Sequence, residues 1–457
     1  MKKLLLFILL VAGCLAGQAQ ELYMMGLLED DGQYDLLPCK ADLQTKDYSQ
    51  LPSKHSLKAY CPKVMSQGQY GTCVGWSTAY AARSIAEAVK WGWTDQTKIN
   101  NESFSPLFVY AQIKKSNDDN CSVGTQIYEA LDLMKEVGSV KLSAFNTLCA
   151  NDVSESLKRQ AAQYKIDDYF TLFNNKSSRK ISKTEKVKKA ISENNPVIIA
   201  MKVPVSFHHA GRVWSGEGYG SGNHAMCVVG YDDNERGGAF QIMNSWGTHW
   251  ADNGFTWIRY RDFEEYVYHA YELYVKKIEV MNQIVQKNQQ NSQTKIVGYI
   301  NNKPAQSNRP EIIPSGGLSL QLYSSGSPLM WVYNKDQEAY TLPYSLETGN
   351  RYQINLTING PAYVYVVGED SRSNHSKIFP ESDNTSAALT YQTNHLFIPS
   401  EDSDISLSAY KHVCVLYSKR PLDFDSLIRR INSSNGSFRQ KVKSATEKDV
   451  TPVFIDL

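Results

Sequence analysis

The pattern of hydrophobic and polar positions divides the chain into two regions of different character. Between residues 51 and 277, helix-like and strand-like apolar patterns both occur, which predicts a domain that mixes helices with strands. The clearest helix is predicted over 73–91, where Trp76, Tyr80, Ile85 and Val89 recur every four or five residues. Two strands are predicted over 222–231 and 239–246, joined by a polar turn that is rich in Asp, Asn and Gly.

After residue 299 the pattern changes. Short apolar runs alternate there with clusters of Gly, Pro, Asn and Ser, which is typical of a β-sandwich or a barrel-like domain. The predicted strands are 319–323, 329–333, 352–358, 362–367 and 412–417, and a closing helix is predicted over 422–431. Residues 281–294 are rich in Gln and Asn, so a linker is predicted over 278–298. The predicted parts of the chain are therefore 1–19, 20–50, 51–277, 278–298 and 299–457.

Composition narrows the choice of partner. The 457 residues, of which 42% are hydrophobic, are sufficient for two substantial cores. Lys and Arg (48) nearly balance Asp and Glu (47). Because no block of like charge stands out, neither nucleic acid nor an anionic membrane surface is expected as a partner. We therefore expect a neutral partner such as a protein or a peptide.

The first nineteen residues have the composition of an export signal. Lys2 and Lys3 precede an apolar run over 4–11, and small residues follow as far as Ala19. Cleavage after Ala19 is one interpretation, and it predicts a secreted or periplasmic protein. The other is lipidation at Cys14, whose neighbourhood resembles a lipoprotein box and which would anchor the protein to a bacterial membrane. The apolar run itself is too short to span a bilayer stably.

Eight cysteines are compatible with disulfide bonds in an exported protein. Proximity along the chain predicts the pairs Cys39–Cys61 and Cys121–Cys149. Cys227 lies in an apolar strand and is interpreted as a small buried side chain. The chain has no CxxC motif and no cluster of His and Cys at the spacing of metal ligands, so neither a metal ion nor a cofactor is expected.

Cys73 is the candidate nucleophile. Gly68 and Gly71 precede it in a permissive loop, and the predicted helix begins at Cys73. The helix dipole at an N-terminus favours a thiolate, and a nearby imidazolium would favour it further. Because a lone cysteine in an amphipathic helix is more often a buried core residue, this interpretation depends on the residues that follow.

A base and its partner are predicted on the two strands of the hairpin. If the hairpin is centred on Asn234, His224 lies directly opposite Asn244. Directly opposed residues of an antiparallel pair point to the same face, with their Cβ atoms close together. The amide oxygen of Asn244 is therefore expected beside the imidazole, although a bulge would shift the register by a residue.

These residues provide what is needed to cleave an amide through a thioester. His224 would take the proton of Cys73 and later protonate the leaving amine. Asn244 would fix the tautomer and the orientation of the ring, and Trp246 would shield their hydrogen bond from water. The side-chain NH₂ of Gln67 and the backbone N–H of Cys73 would form an oxyanion hole.

Three segments, QGQYGTC (67–73), GNHA (222–225) and NSWG (244–247), resemble the papain-like cysteine peptidases in their order and spacing. The resemblance extends over about 51–277. The pattern after residue 299 predicts an all-β, sandwich-like domain behind this part of the chain. For residues 51–277, the resemblance implies an α+β fold with a helical half, a β-barrel-like half and a substrate cleft between them. It also implies three residues along the cleft, namely Gly124, Thr125 and Asn223.

The chain departs from that family near the nucleophile and at its N-terminus. The family usually has a cysteine three residues before the nucleophile, where this chain has Tyr70, so the usual disulfide to the region of Cys121 is not expected. The family usually has Trp directly after the nucleophile, where this chain has Val74. Residues 20–50 are too few to build the long helical propeptide of the family, so a propeptide that plugs the cleft is not expected.

The function predicted is that of an exported cysteine peptidase that acts on proteins or peptides. Two alternatives stay open, namely a retired enzyme that binds peptides in its cleft, and an acyl transferase or an amidase that acts on a non-protein amide. The β-rich domain has no residues at the spacing of a catalytic motif, and it is predicted to bind or position an unidentified partner. Four further histidines are interpreted as structural or surface residues: His208, His209, His249 and His269.

Overall fold

The structure is a computed structural model that describes residues 22–42, 48, 50–174, 181–275, 318–322, 328–329, 332–334, 338–342, 346–347, 350–356, 358, 361–389, 396–400 and 403–457. The predicted export signal with Cys14, the predicted linker and the first residues of the β-rich domain lie outside the described residues.

Helices dominate residues 31–164, the first part of this domain. They are α1 (Asp31–Tyr34), the long helix α2, α3 (Gln96–Asn101), α4 (Pro106–Ile113), α5 (Ile127–Glu136) and α6 (Glu155–Ala161), with 3₁₀ turns at Lys58–Tyr60 and Ala162–Tyr164. Helix α2 is continuous over 73–91, as predicted, and consists of Cys73–Gly75, a stretch with π-type hydrogen bonds over Trp76–Arg83, and Ser84–Trp91. It ends at Gly92, whose φ of 63° is the left-handed conformation that glycine adopts readily.

A sheet of eight strands forms the second half of this domain. Its strands are β1 (Lys54–Ser56), β2 (Asp168–Thr171), β3 (Val197–Pro204), β4 (Val213–Trp214), β5 (Gly220–Asp232), β6 (Ala239–Met243), β7 (Phe255–Arg259) and β8 (Val267–Tyr274). Their order is β2-β8-β3-β5-β6-β7-β4, and β1 pairs with β5. Three helices accompany them: α7 (Lys183–Ser192), α8 (Val205–His208) and α9 (Tyr260–Tyr266). One apolar cluster extends from α2 to β3 and β5, so the helical half and the sheet share a core.

The β5–β6 hairpin is present, but its predicted register is wrong. Cys227 lies opposite Met243, and Asp232 lies opposite Ala239, so the strands are shifted by two to three residues from a hairpin centred on Asn234. An irregularity between Val228 and Gly230 adds a residue to β5. Strand β6 ends at Met243, so the segment that begins at Asn244 leaves the sheet.

The predicted β-rich domain is a sandwich with two added helices. A sheet of four strands, in the order β10-β9-β13-β17, faces a sheet of seven, in the order β11-β12-β19-β18-β14-β15 with β16 beside β14. The strands are β9 (Leu318–Leu322), β10 (Pro328–Leu329), β11 (Val332–Asn334), β12 (Ala339–Thr341), β13 (Tyr352–Leu356), β14 (Ala362–Asp370), β15 (His375–Phe379), β16 (Ala388–Leu389), β17 (Leu396–Ile398), β18 (Tyr410–Ser418) and β19 (Val450–Asp456). Helices α10 (Phe424–Ser433) and α11 (Phe438–Ala445) cover the outer face of the larger sheet.

The two sheets enclose an apolar core because successive side chains of a strand point to opposite faces. On β14, Val364 and Val366 face the smaller sheet, whereas Tyr363 and Tyr365 face the helices. Phe170 of β2 joins the apolar cluster under the helices, so the first domain packs against this side of the β-rich domain.

Residues 22–42, called the strap here, cross both domains. The strap begins in the cleft between the helical half and the sheet, contains α1, and ends where the first domain meets the β-rich domain. Tyr34 of α1 is buried, and its hydroxyl donates to the carbonyl oxygen of Phe173 at 2.6 Å. The strap therefore makes long-range contacts along its whole length.

One of the two predicted disulfides is present. Cys121 is bonded to Cys149. The other predicted pair is wrong, because Cys39 lies between Thr171 and Thr385 in two β-bridges, whereas the thiol of Cys61 lies 3.6 Å from the carbonyl oxygen of Leu57.

Candidate active site

Cys73 and His224 lie on two elements that are in contact at the floor of the cleft. Cys73 is the first residue of α2, and His224 lies on β5; both side chains are fully buried. The backbone N–H of Ala225, the residue after His224, is directed at the sulfur of Cys73. The long helix and the central strand thus bring together a thiol and an imidazole that are 151 positions apart in the sequence.

Asn244 orients the imidazole of His224. Its Oδ1 lies 2.8 Å from Nε2 of His224 and also accepts from the backbone N–H of Ser245 at 2.7 Å. Because Oδ1 is an acceptor, the proton of the neutral ring lies on Nε2, and Nδ1 is the basic atom. Nδ1 is buried and has no hydrogen-bond partner among the described residues. The indole of Trp246 stacks on the ring at a centroid distance of 4.6 Å and covers the His224–Asn244 pair.

Gln67 is held in place by a residue that the sequence did not single out. The hydroxyl of Ser245 donates to Oε1 of Gln67 at 2.6 Å, and the backbone N–H of Gln67 donates to the carbonyl oxygen of Ser245 at 2.8 Å. This pairing fixes the side-chain amide, so its NH₂ group faces the cleft. The segment after β6 therefore supplies the partner of His224, the indole above it and the support for Gln67.

The strap occupies the cleft above these residues. The carbonyl oxygen of Met24 accepts from Nε2 of Gln67 at 3.2 Å and from Nε1 of Trp246 at 3.1 Å. The backbone N–H of Gly26 is directed at the sulfur of Cys73. A backbone carbonyl of the chain itself thus uses the donor that was predicted for the oxyanion hole. The expectation that no propeptide plugs the cleft is wrong to this extent: the short strap crosses the cleft although it forms no long helical propeptide.

Backbone hydrogen bonds tie the strap to both walls of the cleft. Thr125 donates to the carbonyl oxygen of Gly26 and accepts from the N–H of Leu28, both at 3.0 Å, and Leu27 donates to the carbonyl oxygen of Asn223 at 3.4 Å. Gly124 lies at the same crossing with a φ of 87°, and a Cβ there would overlap with the carbonyl group of Gly26. The three residues predicted along the cleft are thus those that contact the strap.

Gly26 is itself at a point of very close approach. A Cβ on Gly26 would overlap with the carbonyl group of Gly71, in the loop that leads to Cys73. The preceding residue of the strap, Met25, lies against Gly222 of β5, where a Cβ would meet the thioether of Met25. The strap therefore fits the cleft only because glycine occupies several facing positions.

Two of the four histidines interpreted as structural or surface residues lie against the strap. Nδ1 of His208 accepts from the backbone N–H of Tyr23 at 3.0 Å, and both rings stack on Trp246 at centroid distances of 4.9 Å. Nε2 of His269 lies 2.8 Å from Oδ1 of Asp31. Nothing in their local sequence separates them from other histidines, because their partners come from the N-terminal segment.

The covered cleft suppresses the ionised form of the pair. Burial raises the pKa of the Cys73 thiol to about 11, although the N–H groups of Ala225 and Gly26 oppose the shift. Burial also lowers the pKa of His224 to about 4, against the effect of its hydrogen bond to Asn244. The predicted thiolate–imidazolium pair is therefore not favoured in this state, since both partners are neutral around pH 7.

Other kinds of site find little support in the described part of the chain. No group of three or more His, Cys, Asp or Glu side chains there is arranged to hold a metal ion. No helix among the described residues combines the length and the apolar character that crossing a membrane requires.

The family model described as papain family cysteine protease matches residues 51–274. Among curated proteins, the cysteine proteinase COT44 of Brassica napus is 23% identical over 194 residues, which are 42% of this chain and 54% of that protein. The chain thus spans about half the length of this relative. The predicted papain-like α+β fold is confirmed for this part of the chain.

Solved structures of lower similarity include xylellain, a cysteine protease from Xylella fastidiosa. It is 18% identical, with a TM-score of 0.45, and the match covers 55% of this chain and 96% of that one. The digestive procathepsin L2 proteinase from the larval midgut of Tenebrio molitor is 16% identical, with a TM-score of 0.44, and covers 55% of this chain and 78% of its own.

Proposed function

We propose that this chain, whose residues 51–274 belong to the papain family of cysteine proteases, hydrolyses peptide bonds of proteins or peptides through a thioester on Cys73. One observation carries the proposal. Nδ1 of His224 is a buried base without a partner in the described structure, and its ring is oriented by Asn244 in the cleft that holds the thiol. A buried acceptor left unpaired is costly, and a proton taken from Cys73 would satisfy it.

Each residue then has a separate role. Cys73 attacks the carbonyl carbon of the substrate while His224 takes its proton, and His224 returns a proton to the leaving amine. Asn244 holds the ring in the required tautomer. Gln67, fixed by Ser245, donates to the developing oxyanion at the position where it now donates to Met24. Water then cleaves the thioester and regenerates the thiol.

Substrate must displace the strap from the cleft, because Met24 and Gly26 occupy the positions beside Gln67 and Cys73. The protein as described is therefore a latent form of the enzyme. In the open form water reaches the pair, the cost of burying charge falls, and the thiolate–imidazolium form becomes accessible.

Peptide profiling tests this function directly. The full chain and Cys73→Ala are incubated with a mixed peptide library, and cleavage is followed by mass spectrometry. We expect cleavage only with Cys73 intact, and an epoxysuccinyl thiol reagent is expected to label Cys73. Stoichiometric labelling of other cysteines with Cys73 untouched, or equal cleavage by the two proteins, would contradict the proposal.

We also propose that the protein is exported. The charged and apolar pattern of the first nineteen residues supports this, and the Cys121–Cys149 disulfide is compatible with an oxidising compartment. The intact mass of the mature protein distinguishes cleavage after Ala19 from lipidation at Cys14. Retention of the initiating residues on protein recovered from the native source would contradict export.

A further inference from the structure

The far end of the strap lies between the two domains. The backbone of Cys39 forms β-bridges with Thr171 of the papain-family domain and with Thr385 of the β-rich domain. On the second side its N–H donates to the carbonyl oxygen of Asn384 and its carbonyl oxygen accepts from the N–H of Ser386, both at 2.7 Å. On the first side, Lys40 donates to Thr171 at 2.8 Å. The strap is thus paired with a different domain along each edge.

Side chains at this end also divide between the domains. Nζ of Lys40 forms a buried ion pair with Glu272 of β8 at 2.8 Å and lies 3.4 Å from Glu193. Burial would lower the pKa of Lys40, but the two carboxylates raise it above its usual value, so this cation is firmly charged. Ala41 is buried in the other direction, in the apolar cluster of the sandwich that contains Leu320.

The β-rich domain is fixed to the papain-family domain by contacts that do not involve the strap. The hydroxyl of Tyr363 donates to Oδ2 of Asp168 at 2.8 Å, and Oδ1 of the same carboxylate accepts from Lys135 at 2.6 Å. Phe170 packs into the cluster under the helices of the β-rich domain. The pairing of residues 38–42 with Thr171 on one side and with residues 384–386 on the other is called the clamp here. Its two sides are joined to each other by contacts other than those of the strap.

Only thirteen positions separate Gly26 in the cleft from Cys39 in the clamp. A short tether gives the cleft end of the strap a high effective concentration over Cys73. If residues 38–42 were released together with α1, whose buried Tyr34 anchors the strap closer to Gly26, the next described part of the same chain would begin near residue 50, which roughly doubles the tether. Such a doubling lowers the ratio of closed to open strap by about threefold from loop entropy alone.

We propose that the β-rich domain keeps the enzyme latent, because it clamps the strap at Cys39 and Ala41 and so holds the residues around Gly26 over Cys73. This inference rests on the proposed function for its biological meaning, but the occupancy of the cleft can be measured without hydrolysis. The β-rich domain then has a regulatory role in this chain, and loosening of its edge at 384–386 opens the active site.

The test measures how fast an epoxysuccinyl thiol reagent labels Cys73 in the full chain. Ala41→Asp places an unpaired carboxylate in the core of the sandwich, which opposes burial of this strap residue. We expect labelling between about threefold and tenfold faster than in the wild type. Amide exchange at Leu27, Leu28 and Thr125, which donate hydrogen bonds across the cleft, is expected to accelerate by a similar factor.

The matched control is Ala445→Asp in α11. Ala41 and Ala445 are each 5% exposed, and both pack against side chains of the β-rich domain, but Ala445 does not contact the strap. The control is expected to label at the wild-type rate. Equal acceleration in both variants, with Ala445→Asp still folded by circular dichroism, would contradict the clamp.

A second variant covers the case in which Ala41→Asp does not fold. Ser386→Pro removes the N–H that donates to Cys39, and Thr385 before it lies in a β-bridge, where extended backbone is compatible with a following proline. It is expected to accelerate labelling by about threefold.

Gly26→Val, whose side chain cannot enter the cleft, sets the rate of a fully open site. Wild-type labelling rates in both clamp variants, alongside fast labelling of Gly26→Val, would overturn the inference. Fast labelling of Gly26→Val without peptide cleavage would instead contradict the proposed function and leave the test of the clamp valid.

Discussion

The floor of the cleft and the strap that covers it are held by different kinds of contact. On the floor, side chains bond to side chains, as in His224–Asn244 and Gln67–Ser245. In the strap, backbone groups of residues 23–28 make most of the hydrogen bonds to the cleft. The floor therefore depends on the identity of its residues, whereas the strap depends on its shape and on its anchor. Changes on the floor should lose activity, and changes in the strap should gain it.

The largest expected effect is a loss on the floor. Cys73→Ala removes the nucleophile, and peptide hydrolysis should fall by on the order of 10⁶-fold, as for other catalytic units that act together. His224→Ala should cost about as much, and Asn244→Ala less, because the orienting residue acts through the base. The control is Cys414→Ala, which removes an equally buried thiol in β18, far from the cleft, and should leave kcat/KM unchanged. Similar losses in both cysteine variants would contradict the assignment.

A smaller loss is expected at the oxyanion donor. Gln67→Ala should lower kcat by about 10²- to 10³-fold with little change in KM, because the donor acts mainly on the transition state. The measurement belongs in the Gly26→Val background, since Gln67 also holds Met24 of the strap. Ser245→Ala, which acts only through the position of Gln67, should lower kcat by about tenfold. A change confined to KM would assign Gln67 to substrate binding instead.

Substitutions in the strap should raise the reactivity of Cys73, whereas substitutions on the floor lower the activity. Gly26→Val forces a side chain against the carbonyl group of Gly71, so the strap should leave the cleft and labelling of Cys73 should accelerate by about tenfold or more. Gly211→Val is the matched control, since a Cβ on Gly211 meets no atom within 4 Å. If Gly26→Val labels at the wild-type rate, the strap does not limit access to the site.

The smallest expected effect depends on pH. Burial under the strap lowers the pKa of His224 to about 4, whereas a hydrated imidazole titrates near its usual pKa of about 6.5. Between these values, the open form whose Cys73 is still a thiol binds one proton more than the covered form, so a fall in pH favours the open form. The ratio of Cys73 labelling rates in Gly26→Val and in the wild type should therefore shrink as the pH is lowered from about 7 to about 5. A ratio that stays constant or grows over this interval would show that closure of the strap does not require His224 to be neutral.

The same comparison explains how far the sequence could predict the site. The residues of the floor carry their chemistry in their side chains, so Cys73, His224, Asn244 and Gln67 could be named from their types and spacing. The hairpin register was wrong, because the turn is centred between Glu235 and Arg236, and the polar turn residues leave no pattern that marks its centre. The irregularity near Gly230 only reduces the shift from three residues to two. The His224–Asn244 contact forms nevertheless, since Asn244 lies just beyond the end of β6 and reaches back to the ring.

The strap could not be predicted, because its cleft contacts are made by backbone groups that every residue possesses. Met24, Gly26 and Leu28 have no motif, and Gly26 is informative only once Gly71 is seen beside it. In the β-rich domain, short apolar runs between clusters of turn residues predicted strands such as β14 and β18. The parallel pairing of β12 with β19 joins segments more than a hundred positions apart, which local periodicity does not report.

The central claim is that a complete cysteine peptidase site lies beneath the strap. The most direct measurement compares kcat/KM on one cleavable peptide for the wild type, Gly26→Val, and Gly26→Val combined with Cys73→Ala. We expect slow hydrolysis by the wild type, faster hydrolysis by Gly26→Val and none by the double variant. Hydrolysis that persists in the double variant, or a Gly26→Val protein that labels fast but cleaves no peptide, would contradict it.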